Sequence, residues 1–224
     1  MNDTNKKRVF LVDDHPLVRE WLTTLINQQF DLTVCGEAGD APRALEVITD
    51  TEPDVAIVDL TLSSGSGLEL TKSIRKSSPN TAIVVLTMHD ESLYAERALR
   101  AGARGYVMKR DTTKKILSAI RRVLEGKLYV SDEFAASMTA RFIDGSATAG
   151  ASPMKQLSDR ELEVFRMLGE GRETWAIAET LHISAKTVQV YYARIKEKLG
   201  YENATELLRE AVRWREAEER GTEG

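Results

Sequence analysis

Four short stretches carry five groups able to do chemistry. Asp13 and Asp14 stand side by side after "RVFLV", Asp59 follows "VAIV", Thr87 follows "IVVL" and Lys109 follows "GYVM". Adjacent carboxylates repel, so acids repeated at the ends of apolar runs need a counter-charge, and a hard divalent cation with oxygen ligands supplies one. Mg²⁺ keeps waters and phosphate oxygens in its shell. A pocket holding it can take a phosphoryl group on a carboxylate, with Lys109 neutralising the transferring oxygens. The spacing supports an acidic metal pocket and leaves open which acid is the acceptor.

Those groups need elements to gather them. From residue 8 to about 125, short apolar runs alternate with amphipathic segments, the pattern of repeated βα units around a parallel sheet. Strands are predicted at 9–12, 32–35, 55–60, 82–86 and 105–108, rich in Val, Ile and Leu as buried parallel strands are. The fold class is α/β, a doubly wound five-stranded parallel sheet of flavodoxin-like type. In such a sheet chemistry collects outside the carboxyl ends of the strands, which places all five groups on one rim. The first helix starts at Pro16, a good first-turn residue, and its spacing predicts burial of Leu17, Trp21, Leu22, Leu25 and Ile26. Further helices are expected at 42–49, 68–76, 91–100 and 112–124.

After Gly126 the pattern changes. Residues 132–143 fit one more helix, and "DGSATAGASP" that follows is small and without a core, a linker. Ser158-Asp159-Arg160-Glu161 then forms a capping-box signature ahead of Leu162, Phe165 and Leu168. Helical patterns follow at 174–181, 184–199 and 204–215, a small all-α module of four helices. The expected organisation is a first domain over 1–126, a linker with a helix over 127–153, a second domain over 154–216 and a tail over 217–224.

Composition narrows the rest. A net charge of −4 with mixed signs points to neither nucleic acid nor membrane over the whole chain, although a local basic patch can hide in that average. The single cysteine forms no internal disulfide, no apolar run is long enough to span a bilayer, and no N-terminal segment reads as a signal peptide, so a cytoplasmic location is expected. His15, His89 and His182 share no ligand spacing with Cys35, which argues against a zinc site. Gly65-Ser66-Gly67 has the first two glycines of a dinucleotide loop, but Leu70 stands where the third is needed. His15, beside a helix-starting proline, has no assigned role.

"FLVDDHP", "VAIVDLTL", "IVVLTMHDE" and "GYVMKRD" resemble, in order and spacing, the receiver domain of bacterial response regulators, over about residues 7–126. The resemblance implies that Asp59 is the phosphoacceptor and that Asp13, Asp14, Asp59 and the main-chain carbonyl of Thr61 hold Mg²⁺. It also implies that Thr87 bonds a phosphoryl oxygen, that Lys109 pairs with the charge, and that Tyr106 turns inward when Thr87 is drawn to the phosphoryl group. Thr61 and His89 occupy two variable positions flanking that site, where they are expected to tune the access of water. Ser63 replaces a common proline in the loop after the acceptor. Arg110 stands where a proline often follows the lysine, removing the usual ground for a cis peptide. A phosphatase of haloacid-dehalogenase type carries a second aspartate two residues after its nucleophile; Thr61 at that place argues against turnover, so no enzyme activity is expected.

In the second domain, Ile177 and Leu181, the "HIS" turn and a capping Ser184 lead into a longer helix whose inner stripe is Val188, Tyr191 or Tyr192, Ile195 and Leu199. A short helix, a turn and a longer helix match the geometry that lays a recognition helix in the major groove. Lys186, Thr187, Gln189, Val190, Ala193, Arg194, Lys196 and Lys198 form its outer face. This segment resembles the LuxR-type helix-turn-helix of NarL/FixJ-type response regulators. The resemblance implies base contacts from Gln189 and Val190, phosphate contacts from Lys186, Thr187 and Lys198, and a different half-site where Ala193 replaces a base-contacting Lys of some relatives.

The joint resemblance implies a two-component response regulator. A sensor histidine kinase would phosphorylate Asp59, and dimerisation would then control sequence-specific binding to double-stranded DNA and so transcription. The last helix is expected to carry the dimer contact through Leu207, Leu208, Ala211 and Val212. A receiver that works without phosphate is the alternative.

Overall fold

The computed structural model describes residues 6–144 and 152–222, and the chain divides into two compact units, Met1–Ser137 and Met138–Gly224. In the first, β1 (Lys7–Val12), β2 (Leu32–Ala38), β3 (Val55–Val58), β4 (Ala82–Thr87) and β5 (Gly105–Met108) alternate with α1 (Pro16–Asn27), α2 (Ala41–Thr51), α3 (Gly67–Ser77), α4 (Glu91–Ala101) and α5 (Thr113–Leu124). The strands are all parallel, in the order β2-β1-β3-β4-β5. That order reverses direction beside β1, so β1 and β3 are neighbours that leave on opposite sides of the sheet, and their carboxyl ends open a crevice. Val12 pairs with Val58, which brings Asp13 and Asp59 level on the rim.

Val9, Leu11, Val55, Ile57, Val84, Leu86 and Val107 form one sheet face under Leu22 and Ile26 of α1 and Ile116, Ile120 and Val123 of α5. In α1 two residues expected to be buried are not. Leu22 and Ile26 are buried and Val18 packs against them, but Leu17 and Trp21 are 78% and 40% exposed. Six apolar residues between 17 and 26 are more than one helix stripe holds. The sheet takes the Val18-Leu22-Ile26 line and leaves the Leu17-Trp21 line outside.

A further helix, α6 (Asp132–Asp144), spans the division between the units, and the core of the expected linker, 145–151, lies outside the described residues. The second unit continues with a short 3-10 turn (Pro153–Gln156), then α7 (Asp159–Gly169), α8 (Thr174–Thr180), α9 (Ala185–Leu199) and α10 (Ala204–Thr222). The capping box at the start of α7 is present: Ser158 Oγ accepts from the Glu161 N–H at 3.3 Å and Glu161 Oε2 accepts from the Ser158 N–H at 2.7 Å. The last helix runs beyond its expected end, through residues assigned to a tail. It packs on α7 with Trp214 against Phe165, ring centroids 5.6 Å apart. Leu207 and Ala211 are buried in this packing, so of the four apolar residues expected at a dimer contact only Leu208 is strongly exposed.

Candidate functional site

The strand ends bring the predicted pocket together. Asp13 and Asp59 are buried, and Lys109 Nζ lies 2.6 Å from Asp13 Oδ2 and 2.7 Å from Asp59 Oδ2. The lysine reaches this place because the backbone N–H of Lys109 donates to the Thr87 carbonyl at 2.8 Å, which holds the end of β5 beside β4. Burial works against the charged ammonium, but Asp59 and Asp13 outweigh it and hold Lys109 above the ordinary lysine range. Asp14 is raised as well: desolvation by burial is the largest cause, Asp59 and Asp13 add to the rise, and His15 and Lys109 oppose it. Three acids against one cation leave the pocket short of positive charge.

One observation bears directly on a metal. Asp14 Oδ1 is buried and no hydrogen bond reaches it. His15 Nδ1 approaches that oxygen at 2.8 Å without hydrogen-bonding geometry, and lies 3.3 Å from Asp13 Oδ1. Ligand atoms of Asp13, Asp14, His15 and Asp59 all lie within 4.8 Å of one another. An orphaned carboxylate oxygen in an oxygen-rich cluster fits a divalent cation.

Around the acids, the remaining predicted residues are also in place. Asp59 Oδ1 accepts from the Thr61 N–H at 3.2 Å, which ties the loop after β3 to that carboxylate. Thr87 is buried at the end of β4, and Tyr106 is buried with its hydroxyl donating to the His89 carbonyl at 2.9 Å. Thr61 Oγ1 and His89 Nε2 are 2.9 Å apart, and the His89 ring stacks on Tyr94 at 4.5 Å.

Three residues outside the expected set also shape the pocket. Arg19 donates to the Asp13 carbonyl at 2.6 Å, pinning the loop after β1 from α1. Gly67 opens α3 so close to the end of β3 that a Cβ there would lie 2.0 Å from the Asp59 carbonyl oxygen. His15, left unassigned, faces both Asp13 and Asp14. The Gly65-Ser66-Gly67 run was the available signal for the second of these, since glycine permits close backbone approach.

In the second unit α8, a turn with His182 at φ 53° and α9 form the helix-turn-helix. Ser184 caps α9 by accepting from the Thr187 N–H at 3.0 Å; Val188 and Ile195 are buried, while Tyr191, Tyr192 and Leu199 are half-buried. Lys186, Gln189, Val190, Ala193 and Arg194 are exposed on the outer face, with Thr187 half-buried at its start. Gln189 Nε2 makes a long 3.5 Å contact to Thr174 Oγ1. Lys198, also exposed, differs from the others in pairing with α7: its ammonium lies 2.6 Å from Glu161 Oε2. Burial alone would raise the Glu161 carboxyl, but Lys198 and the capping bonds of Ser158 outweigh it and hold it below the ordinary range.

Comparisons with known proteins agree with this geometry. Residues 9–121 match the family model for the response regulator receiver domain, and residues 155–211 match that for bacterial regulatory proteins of the luxR family. Oxygen regulatory protein NreC of Staphylococcus epidermidis is 34% identical over 211 residues, covering 92% of this chain and 97% of that protein. NreC of Staphylococcus aureus is 37% identical over 210 residues with the same coverage. Among solved structures, RcsB from Salmonella enterica serovar Typhimurium bound to promoter P1flhDC in the presence of the phosphomimetic BeF3− is 27% identical. It aligns with a TM-score of 0.68 over 92% of this chain and 98% of that one. A LuxR-family two-component response regulator from Aurantimonas sp. SI85-9A1 is 36% identical with a TM-score of 0.58, covering 62% of this chain and 99% of that one. The fold is therefore a receiver followed by a helical DNA-binding module, and the family regulates transcription rather than catalysing turnover. This chain belongs to the response regulators that join a receiver domain to a luxR-family DNA-binding domain.

Proposed function

We propose that Asp59 is the phosphoacceptor of this response regulator and that its phosphorylation by a sensor histidine kinase controls DNA binding by a dimer, in the cytoplasm with the DNA it reads. The observation that carries the reading is Lys109 Nζ set between Asp59 and Asp13. Asp59 offers a carboxylate oxygen that forms a bond to phosphorus as the P–N bond of a kinase phosphohistidine breaks. Lys109 then turns from a carboxylate partner into a partner of the phosphoryl oxygens. Asp13, Asp14, Asp59 and the Thr61 carbonyl would hold Mg²⁺. That ion, when bound, neutralises the acids and draws in a phosphoryl oxygen. Thr87 donates its hydroxyl to the same group, while Tyr106 already holds the inward position, its hydroxyl on the His89 carbonyl.

On the output side, Gln189 and Val190 meet base edges, and Lys186, Thr187, Ala193 and Arg194 lie along the backbone and groove wall. Lys198 joins them while sharing its charge with Glu161. Support comes from the exposure of this face and from the RcsB structures solved with promoter DNA. A two-fold dimer implies a roughly palindromic site.

Incubation of the full chain with a small phosphodonor and Mg²⁺, followed by intact mass, tests the first half. The expected result is one phosphoryl adduct that disappears in Asp59→Asn. Absence of any Asp59-dependent adduct would favour a receiver that works without phosphate.

A further inference from the structure

We infer that Trp175 is a further DNA-contacting residue: its indole N–H bonds a phosphate oxygen beside the major groove, and Glu173 occupies that N–H until DNA arrives. The inference rests on reading α9 as the helix that enters the groove, and extends the contact surface to a side chain of α8.

Trp175 is the large apolar residue that α8 leaves outside. Ile177, Ala178 and Leu181 are buried in the module, whereas Trp175 is 62% exposed. A single exposed apolar side chain is ordinary, so its place has to decide what it does. The preceding residue, Thr174, lies 3.5 Å through Oγ1 from Nε2 of Gln189, so the start of α8 adjoins the side chains read as base contacts. In a helix-turn-helix the first helix crosses the phosphate backbone while the second lies in the groove. A side chain standing out from α8 at that point meets sugar and phosphate, on a surface continuous with the outer face of α9.

The pair with Glu173 indicates what the indole binds. Trp175 Nε1 donates to Glu173 Oε2 at 2.5 Å. Glu173 is the N-cap residue of α8, yet its side chain accepts no capping bond from the helix backbone. The carboxylate has gone to the indole instead, so an anionic oxygen already sits on the N–H in the chemical role of a phosphate oxygen. Both residues are exposed, and exchanging one anionic acceptor for the other disturbs no core packing. Once displaced, the Glu173 carboxylate returns to water and repels the DNA backbone, so the acid works against binding. Every nucleotide carries a phosphate, so the contact adds affinity without reading sequence.

The experiment uses the full chain, treated with a small phosphodonor and Mg²⁺, and a fluorescein-labelled duplex of random sequence, because a backbone contact is made on any DNA. Trp175→Ala should weaken binding on the order of tenfold, and Trp175→Phe, which keeps a ring but no donor, on the order of threefold. Because the indole is neutral, the salt dependence of affinity should keep its slope in both, unlike that of a lost lysine. Glu173→Gln removes the competing charge and should tighten binding several-fold, a gain that damaged folding cannot produce. Acrylamide quenching of tryptophan fluorescence should fall when the wild type binds DNA, and the fall should be absent in Trp175→Phe. Full-strength binding by Trp175→Ala, unaltered quenching, or no gain in Glu173→Gln overturns the role of Trp175 and leaves α9 standing as the reading helix. If DNA is bound but Lys186→Ala and the exchange of Gln189 and Val190 leave that binding unchanged, the reading of α9 fails and the inference with it.

Discussion

Thr61 Oγ1 and His89 Nε2 lie 2.9 Å apart and so join the two loops that frame Asp59. The bond spans 28 residues of sequence, and the stacking of His89 on Tyr94 holds its far end in α4. Exchanging both residues for alanine should open the pocket to water and shorten the life of phosphorylated Asp59 several-fold, equivalent to about 1 kcal/mol of barrier. Decay of the adduct followed by intact mass measures this; an unchanged rate would show that the pair does not control water access.

Lys109 is the cation that the two buried acids share. Lys109→Met should lower stability by about 1 to 3 kcal/mol, less than a fully enclosed pair because the rim is open to solvent. Urea unfolding with and without Mg²⁺ separates the causes: the deficit should shrink at saturating Mg²⁺, which replaces part of the lost charge. A deficit indifferent to Mg²⁺ would locate the effect in packing instead.

Gly67→Ala would put a Cβ 2.0 Å from the Asp59 carbonyl oxygen and 2.6 Å from the Leu60 Cα. Both neighbours are backbone, so the start of α3 or the segment after β3 has to move. We expect a loss of about 3 kcal/mol in denaturant unfolding together with slower phosphorylation. Wild-type behaviour in both measurements would mean that the loop accommodates the methyl group without disturbing Asp59.

Arg121 on α5 binds Asp31 through two nitrogens at 2.8 and 2.9 Å. Its hydrogen bonds are the largest cause holding the Asp31 carboxyl below its usual 3.8. Because the folded-state value is depressed, the stabilisation is present above about pH 3.8 and is lost as the pH falls through the folded value. Both partners are part-exposed, so the pair contributes less than about 1 kcal/mol. In Arg121→Met that contribution should be absent near neutral pH, and the difference from wild type should close in acid. A difference constant down to the acid transition would assign the effect to lost packing.

Gln189 and Val190 are exposed side by side on the outer face of α9. Exchanging them should change the half-site recovered when DNA bound by the phosphorylated protein is sequenced, with each lost base contact shifting discrimination by about 1 to 3 kcal/mol. Lys186→Ala should instead weaken binding to all sequences and flatten its salt dependence. If the double exchange only weakens binding uniformly, these two side chains touch backbone and not bases.

Much of the site was legible because a parallel βα fold converts chain position into place. An acid directly after a buried apolar run lies at a strand's carboxyl end, and strand ends share one rim. Asp13, Asp14, Asp59, Thr87 and Lys109 were therefore found from their neighbours in sequence, as was the helix-turn-helix from its caps and apolar spacing. Contacts that depend on which faces meet were not. Leu17 and Trp21 follow the same helical spacing as buried residues, yet the sheet receives only one line of α1. Leu207 and Ala211 read as surface on an isolated helix and become core once α10 packs on α7. Lys198 belongs to a basic run along α9, but Glu161, 37 residues earlier, lies within reach only after folding. His15 gained its place in the same way. Its neighbours in the chain mark only a helix start, while the folded backbone turns its ring between two carboxylates. Local pattern determines which elements form and what stands at their ends; the pairing of side chains from distant segments is settled by packing in three dimensions, which no local periodicity encodes.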